Sequence, residues 1–189
     1  MDDDRRPAVE AAPNPSASRL DRRWHLATEE HEIAVTELEY ALMRAAEAFT
    51  RWQSEALASI TGLPVSGSDN AILHIIRMKD RPKSIRDIAR LMNRDDIANI
   101  QYTIRKLTKA GLIEKDNSDD KRNTVSYSIT QRGREVTDDF TALRRDLLLS
   151  VTRSVDGLDN RLNDASRTLD LLSGIHEQAA RIAATHREK

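Results

Sequence analysis

Between Asp96 and Ala110, Ile97, Ile100, Ile104 and Leu107 recur every three or four positions, which predicts a helix with that side buried. At 100° per residue the opposite side carries Ala98, Asn99, Tyr102, Lys106 and Lys109, with Arg105 at its edge and Gln101 among the exposed polar positions. An amide, a phenol and several cations on one helix face are the groups that read a polyanion with hydrogen-bonding edges. Asn99 could pair with an adenine edge and Arg105 with guanine, while Lys106 and Lys109 neutralise phosphates. A charged face on a lone helix is by default a solvated surface, but Tyr102 exposed there has no core to fill. A second cluster, Asn117 to Asn123, holds two acids, two bases and no apolar residue. Arg122 there suits a narrow minor groove, Lys121 a phosphate, and Asp120 an ion pair that sets the direction of the tip. Ser84, at the start of a short preceding helix, completes the set of candidate DNA contacts.

Other chemistries find no residues to carry them. Cysteine is absent, which excludes disulfides, thiolate metal sites, thiol nucleophiles and thiol redox sensing. The five histidines have no metal-binding spacing: His31-Glu32 is followed by Ile33-Ala34-Val35, so a second ligand is missing. No phosphate-cradling glycine loop or nucleophile elbow occurs. Carboxylate neighbours such as Glu29-Glu30 and Asp138-Asp139 diverge on a helix. The expectation is a non-enzyme with no cofactor and no metal.

The elements that must position these residues follow from the periodicity. Residues 1–19 hold three of the five prolines and one valine, a composition that predicts a disordered tail. From Leu20 to Ile60 nothing breaks an amphipathic helix containing Leu38, Leu42, Phe49 and Trp52, and Gly62 and Pro64 stop it. Ser66 to Met78 reads as a second helix. Ser84 caps a third, with Asp87 three residues on as the acidic equivalent of a capping box. A polar turn, Asn93-Arg94-Asp95, leads into the helix from Asp96, where the acids suit a cap and the positive end of the helix dipole. Gly111 closes that helix in the left-handed conformation.

The period then changes to two. Leu112 to Lys115 and Thr124 to Ile129 form a hairpin, with Val125, Tyr127 and Ile129 on one face. Thr130 caps a helix running to Ser154, and after Asp156-Gly157 a last helix from about Asp159 carries Leu162, Leu169 and Leu172, its seam interrupted by His176. The fold class is mainly α with a small β-hairpin wing. Its divisions are the tail 1–19, an N-terminal dimerisation helix 20–62, a winged helix-turn-helix 66–135, and C-terminal dimerisation helices 136–189.

Three spaced motifs give this order a likeness. Leu107-Thr108-Lys109-Ala110-Gly111-Leu112-Ile113, the tip Asp120-Lys121-Arg122, and Ser128-Ile129-Thr130-Gln131-Arg132-Gly133 together resemble the MarR family of transcriptional regulators. Lys121 stands where the family usually has Arg, and Ile129 where it has Leu. The resemblance extends over roughly residues 38 to 182. It implies that the terminal helices of two subunits intertwine, and that an aromatic or phenolic effector binds between the dimerisation region and the winged domain.

The chain has 189 residues and a net charge of −1, yet residues 81–134 hold 13 Lys and Arg against 7 Asp and Glu. A basic middle between acidic flanks fits double-stranded DNA as partner. No apolar run is long enough for a membrane span, and a cytoplasmic protein is expected. His74, on the mainly apolar second helix, reads as a hydrogen-bonded core histidine, and Trp52, His74 and Arg77 are the residues named for an effector pocket. The functional expectation is a homodimeric, ligand-responsive repressor on a palindromic operator. The rival is a winged-helix dimer that holds a protein partner without reading DNA, a surface that would expose apolar anchors rather than Asn99, Arg105, Lys106 and Lys109.

Overall fold

The structure, a computed structural model, describes residues 25–116 and 125–186. Helix α1 spans Glu30–Thr61. It begins ten residues later than its unbroken pattern predicts, because the Glu32 carboxylate accepts hydrogen bonds from the backbone N–H groups of Thr28 (2.7 Å) and Glu29 (3.1 Å) and so fixes a helix start there. Propensity alone could not place that start: nothing between Leu20 and Glu29 forbids helix, and the capping box decides it. The expected tail, residues 1–19, lies outside the described residues.

Helix α2, Gly67–Arg77, starts from a capping box of Ser66 and Asp69. A short 3-10 turn, Met78–Asp80, leads to strand β1, Lys83–Ser84. Helix α3 is Ile85–Leu91 and carries the expected Ser84–Asp87 box, with the Ser84 hydroxyl donating to Asp87 Oδ2 at 2.7 Å and accepting from the Asp87 N–H at 3.2 Å. Asn93 takes a positive φ of 50° in the tight turn to α4, Ile97–Lys109, a conformation asparagine adopts more readily than most residues. Gly111, at φ 72°, closes α4 as expected.

Strands β2, Ile113–Asp116, and β3, Ser126–Ile129, pair antiparallel with Ile113 opposite Ile129. The sheet is larger than the expected hairpin: β1 adds to the far side of β3, giving the order β1-β3-β2, with Lys83 opposite Tyr127. Two residues have too little periodicity to reveal a strand. Here pairing is fixed from the side-chain end, because the buried Lys83 ammonium donates to the carbonyl of Ile76 in α2 and to those of Met78 and Arg81 in the turn that follows. Tyr127 and Ile129 are buried as expected, whereas Val125 lies outside the strand and is exposed.

Helix α5, Gln131–Arg144, is capped by Thr130, whose Oγ1 accepts from the Gly133 N–H at 3.0 Å and donates to Gly111 O at 2.7 Å. It continues through a π-helical stretch, Arg145–Leu149, and a last turn, Ser150–Thr152. After Gly157 comes α6, Leu158–Thr185. One apolar core joins Leu57 of α1, Ile72, Leu73 and Ile76 of α2, Ile88 of α3, Ile100, Ile104 and Leu107 of α4, and Val136 of α5 with the sheet. No residue of α6 is buried. No described helix is long and apolar enough to cross a membrane.

Candidate nucleic-acid interface

Helix α4 rests on the core through Ile100, Thr103, Ile104 and Leu107. Ile97, expected on that buried side, is instead exposed at the first turn, and Thr103 takes part in its place. The residues on the outer face are those the periodicity names: Asn99, Gln101, Tyr102, Arg105 and Lys109 are all exposed, and Tyr102 is 61% exposed. The rigid support matters, because side chains on a packed helix keep fixed spacing along a groove.

Lys106 departs from the expectation. Its ammonium is 2.7 Å from Oδ2 of Asp69, a carboxylate only 2% exposed on α2, so it is spent on an internal ion pair rather than held out towards phosphates. Lys106 sits at the boundary between the two faces of the helix, where the position of a partner decides which way a flexible cation turns.

The acids at the start of α4 also behave differently from a simple cap. Asp96 occupies the N-cap position without a side-chain bond to the backbone. Its carboxylate instead accepts from the Arg94 guanidinium, including Nε at 2.7 Å, and from Asn99 Nδ2 at 3.0 Å. The Arg94 hydrogen bonds, then that of Asn99, hold the Asp96 carboxyl down to about 2. Arg94 Nη1 also donates to Ser68 Oγ at 2.8 Å, which ties the turn before α4 to α2. The bond to Asp96 uses one Nδ2 N–H of Asn99 and leaves its second N–H and its Oδ1 outside it. Ser84, placed among the contacts, has its hydroxyl engaged in the α3 cap.

Three further cations of the winged domain are exposed and are not among the residues the sequence singles out: Arg86 and Arg90 on α3 and Lys115 on β2. Arg90 pairs with Asp87 at 3.2 Å on its own helix. The basic charge of the middle segment was the signal that could have found them. Asp120, Lys121 and Arg122 lie outside the described residues.

Residues 65–133 match the family model of the winged helix DNA-binding domain. They form such a domain. Helix α4 is the second helix of its helix-turn-helix. About three quarters of the chain superposes on the MarR-type fold. It superposes on the transcriptional regulator BldR from Sulfolobus solfataricus with a TM-score of 0.62 at 19% identity, covering 76% of this chain and 99% of that one. A MarR-family regulator from Rhodococcus sp. RHA1 gives 0.58 at 20% identity, covering 71% and 93%. A MarR/EmrR-family regulator from Acinetobacter sp. ADP1 gives 0.62 at 14% identity, covering 76% and 96%. No curated protein sequence matches the chain.

Beside the winged domain lies a cavity of about 260 Å³ between α1, α2 and α5. Phe49, Trp52, Phe140 and Leu148 supply its apolar wall, and Gln53, Asn70, His74 and Arg144 its polar groups. The Trp52 and Phe140 rings are tilted at 6.1 Å, and His74 sits 4.6 Å from Phe140. Of the three residues named for a pocket, Trp52 and His74 line it. Arg77 does not: its guanidinium donates to Arg134 O, Thr137 Oγ1 and Asp138 Oδ1, fastening α2 to α5. His74 is not the hydrogen-bonded core histidine expected, since its buried Nε2 has no partner. Burial, followed by the cations Arg77 and Arg144, pushes its pKa down and keeps the ring neutral at neutral pH.

Phe49, named for the dimer seam, is 60% exposed and touches this cavity. Leu38, Leu162 and Leu169 are likewise exposed in the single chain, at 37%, 52% and 40%, while Leu42 and Leu172 are half-buried. The interrupting His176 makes an exposed contact with Glu39 of α1 at 3.2 Å.

Proposed function

We propose that the protein is a homodimeric transcription regulator of the cytoplasm that reads a palindromic operator with α4 and is released by a small ligand. The observation that carries the reading is the outer face of α4, where Asn99, Gln101, Tyr102, Arg105 and Lys109 stand exposed on a helix whose inner face is locked into the core. In this reading Asn99 and Arg105 address base edges, Tyr102 and Gln101 extend the contact, and Lys109, Arg86 and Lys115 neutralise phosphates. Lys121 and Arg122 would add minor-groove and phosphate contacts from the wing tip. The charged outer face disfavours the rival protein-docking role, which needs apolar anchors.

The dimer is supported by α6. In proteins most helical stability comes from packing an apolar face, and this helix spans 28 residues with none buried while Leu162, Leu169, Leu171, Ile175 and Ile182 are exposed. A second copy that covers the seams of α1 and α6 supplies the missing burial. Two-fold symmetry then sets the operator: two recognition helices require half-sites about one helical turn apart. The cavity supports the ligand response, its aromatic wall suiting an aromatic or phenolic effector.

Selection of duplexes from a random pool by the full chain, with light scattering on the same sample, tests this reading. A dimer that enriches an inverted repeat supports it. A monomer at micromolar concentration, or a pool that stays unenriched, overturns it.

A further inference from the structure

The carboxylate at the start of α4 is engaged by side chains rather than by the helix it precedes. Asp96 makes no side-chain bond to the backbone, and the N–H groups of Asn99 and Ile100 turn to its carbonyl instead, at 3.0 and 3.3 Å. Its Oδ1 accepts from Arg94 Nε at 2.7 Å, and its Oδ2 accepts both from Arg94 Nη2 and from Asn99 Nδ2, the latter at 3.0 Å. Arg94 is itself held on two sides. Ser68 Oγ of α2 accepts from its Nη1 at 2.8 Å, and Ala89 O of α3 accepts its backbone N–H at 2.9 Å. The carboxylate is therefore fixed in place before it meets Asn99, and the two-pronged guanidinium contact fixes its plane as well.

Such a partner acts on an amide in two ways. It sets the orientation, because turning the Asn99 group over would bring Oδ1 against Asp96 Oδ2, two acceptors with no proton between them. It also removes one donor. An amide offers two N–H groups and one oxygen, so with one N–H given to Asp96 a single donor and the oxygen are left. Adenine is the base whose own major-groove edge pairs an acceptor, N7, with a donor, N6–H. Guanine presents two acceptors, N7 and O6, and against the held amide one of them meets Oδ1. A free asparagine has no such bar and can turn both N–H groups to guanine.

We propose that Asp96 is a positioning residue that sets the base preference of Asn99: it confines the amide to adenine and turns guanine away, acting through Asn99 rather than on the base itself. This rests on the reading of α4 as a DNA reader.

The test compares the full chain with Asp96→Ala, Asn99→Ala and the double variant in selection from the random duplex pool, and adds nitrogen-15 relaxation of the Asn99 side chain in the free protein. In the wild type one position in each half-site should favour adenine over guanine by about tenfold or more. Asn99→Ala should lose that preference there and nowhere else. Asp96→Ala should admit guanine at the same position, to within about threefold of adenine, with the other positions unchanged. The double variant should be no more permissive than Asn99→Ala alone, as two residues acting through one contact require. In the free wild type the order parameter of Asn99 Nδ2 should lie near the rigid value of about 0.85, and in Asp96→Ala it should fall below about 0.6. Asp96→Ser, whose hydroxyl can cap the helix, serves if Asp96→Ala does not fold.

No position lost in Asn99→Ala, or a base other than adenine favoured there, overturns the assignment. So does an Asp96→Ala variant that still rejects guanine, or one that loses preference evenly over the whole site, which is what a purely structural role would give. An Asn99 amide equally mobile in wild type and Asp96→Ala overturns it independently of DNA. If the amide is held as expected but the wild type enriches no sequence, the clamp stands, and the reading of α4 as a DNA reader fails together with the base preference.

Discussion

Gly133→Ala is the most stringent single-atom test of how the winged domain is joined to α5. An added Cβ would stand 2.1 Å from Leu112 O and 2.7 Å from Ile129 Cδ1. Ordinary contact needs about 3.5 Å, so α5 or the strand start must move by more than about 1 Å. Leu112 O cannot yield freely, since it accepts the Thr130 N–H at 3.1 Å. Overpacking of this kind costs about 1–3 kcal/mol, and loss of that hydrogen bond about 1 kcal/mol more. Alanine returns about 1 kcal/mol of helix propensity. The net expectation is destabilisation of about 2 kcal/mol, which at about 2–4 °C per kcal/mol for a chain of this size lowers Tm by about 4–8 °C. Thermal unfolding followed by circular dichroism, at matched protein concentration because a dimer's Tm depends on it, measures the change. An unchanged or raised Tm would mean that propensity wins and that the junction is looser than described.

Other perturbations bear on separate parts of the account. Leu169→Asp places a charge in the exposed seam of α6 and should shift light-scattering mass from dimer to monomer at micromolar concentration; an intact dimer would remove α6 from the interface. The depressed pKa of His74 means the folded chain binds fewer protons than the unfolded chain, so this contribution is complete above the ordinary histidine value of 6.5 and declines as pH falls below it. Tm should therefore drop between pH 7.5 and 5, and His74→Phe should flatten that slope; equal slopes would refute the buried, unpartnered ring. The Asp96 carboxyl, held at about 2 against an ordinary 3.8, keeps its grip on Arg94 throughout the neutral range and loses it only as pH falls through about 2. Arg94→Met should speed hydrogen exchange at residues 97–100 at pH 7, and unchanged exchange would show that the clip is idle.

The order of elements was legible because each helix declares itself by spacing and each start by chemistry. Ser84 with Asp87, Thr130 with Gly133 and Gly111 after α4 all act at the expected positions. What escaped depended on partners distant in sequence. β1 is two residues long and is specified by pairing with Tyr127 and Ser126 more than forty positions on. Lys106 turns to Asp69 and Arg77 to α5, choices that a helical wheel cannot make because both cations are long and sit at face boundaries. Within the cavity, Trp52 and His74 were reachable from their helices, whereas Asn70, Gln53 and Arg144 join them only once α1, α2 and α5 are packed.

The central claim is that α4 reads duplex DNA, and fluorescence anisotropy of wild type and Arg105→Ala on the selected duplex and its single-base variants tests it most directly. The wild type should lose affinity steeply and linearly in log[salt], as counterion release from several phosphates requires. Arg105→Ala should weaken binding by about 1–3 kcal/mol and erase discrimination at one base pair in each half-site while leaving the others intact. Binding insensitive to salt, or an Arg105→Ala variant with unchanged affinity and unchanged base preference, would contradict the account.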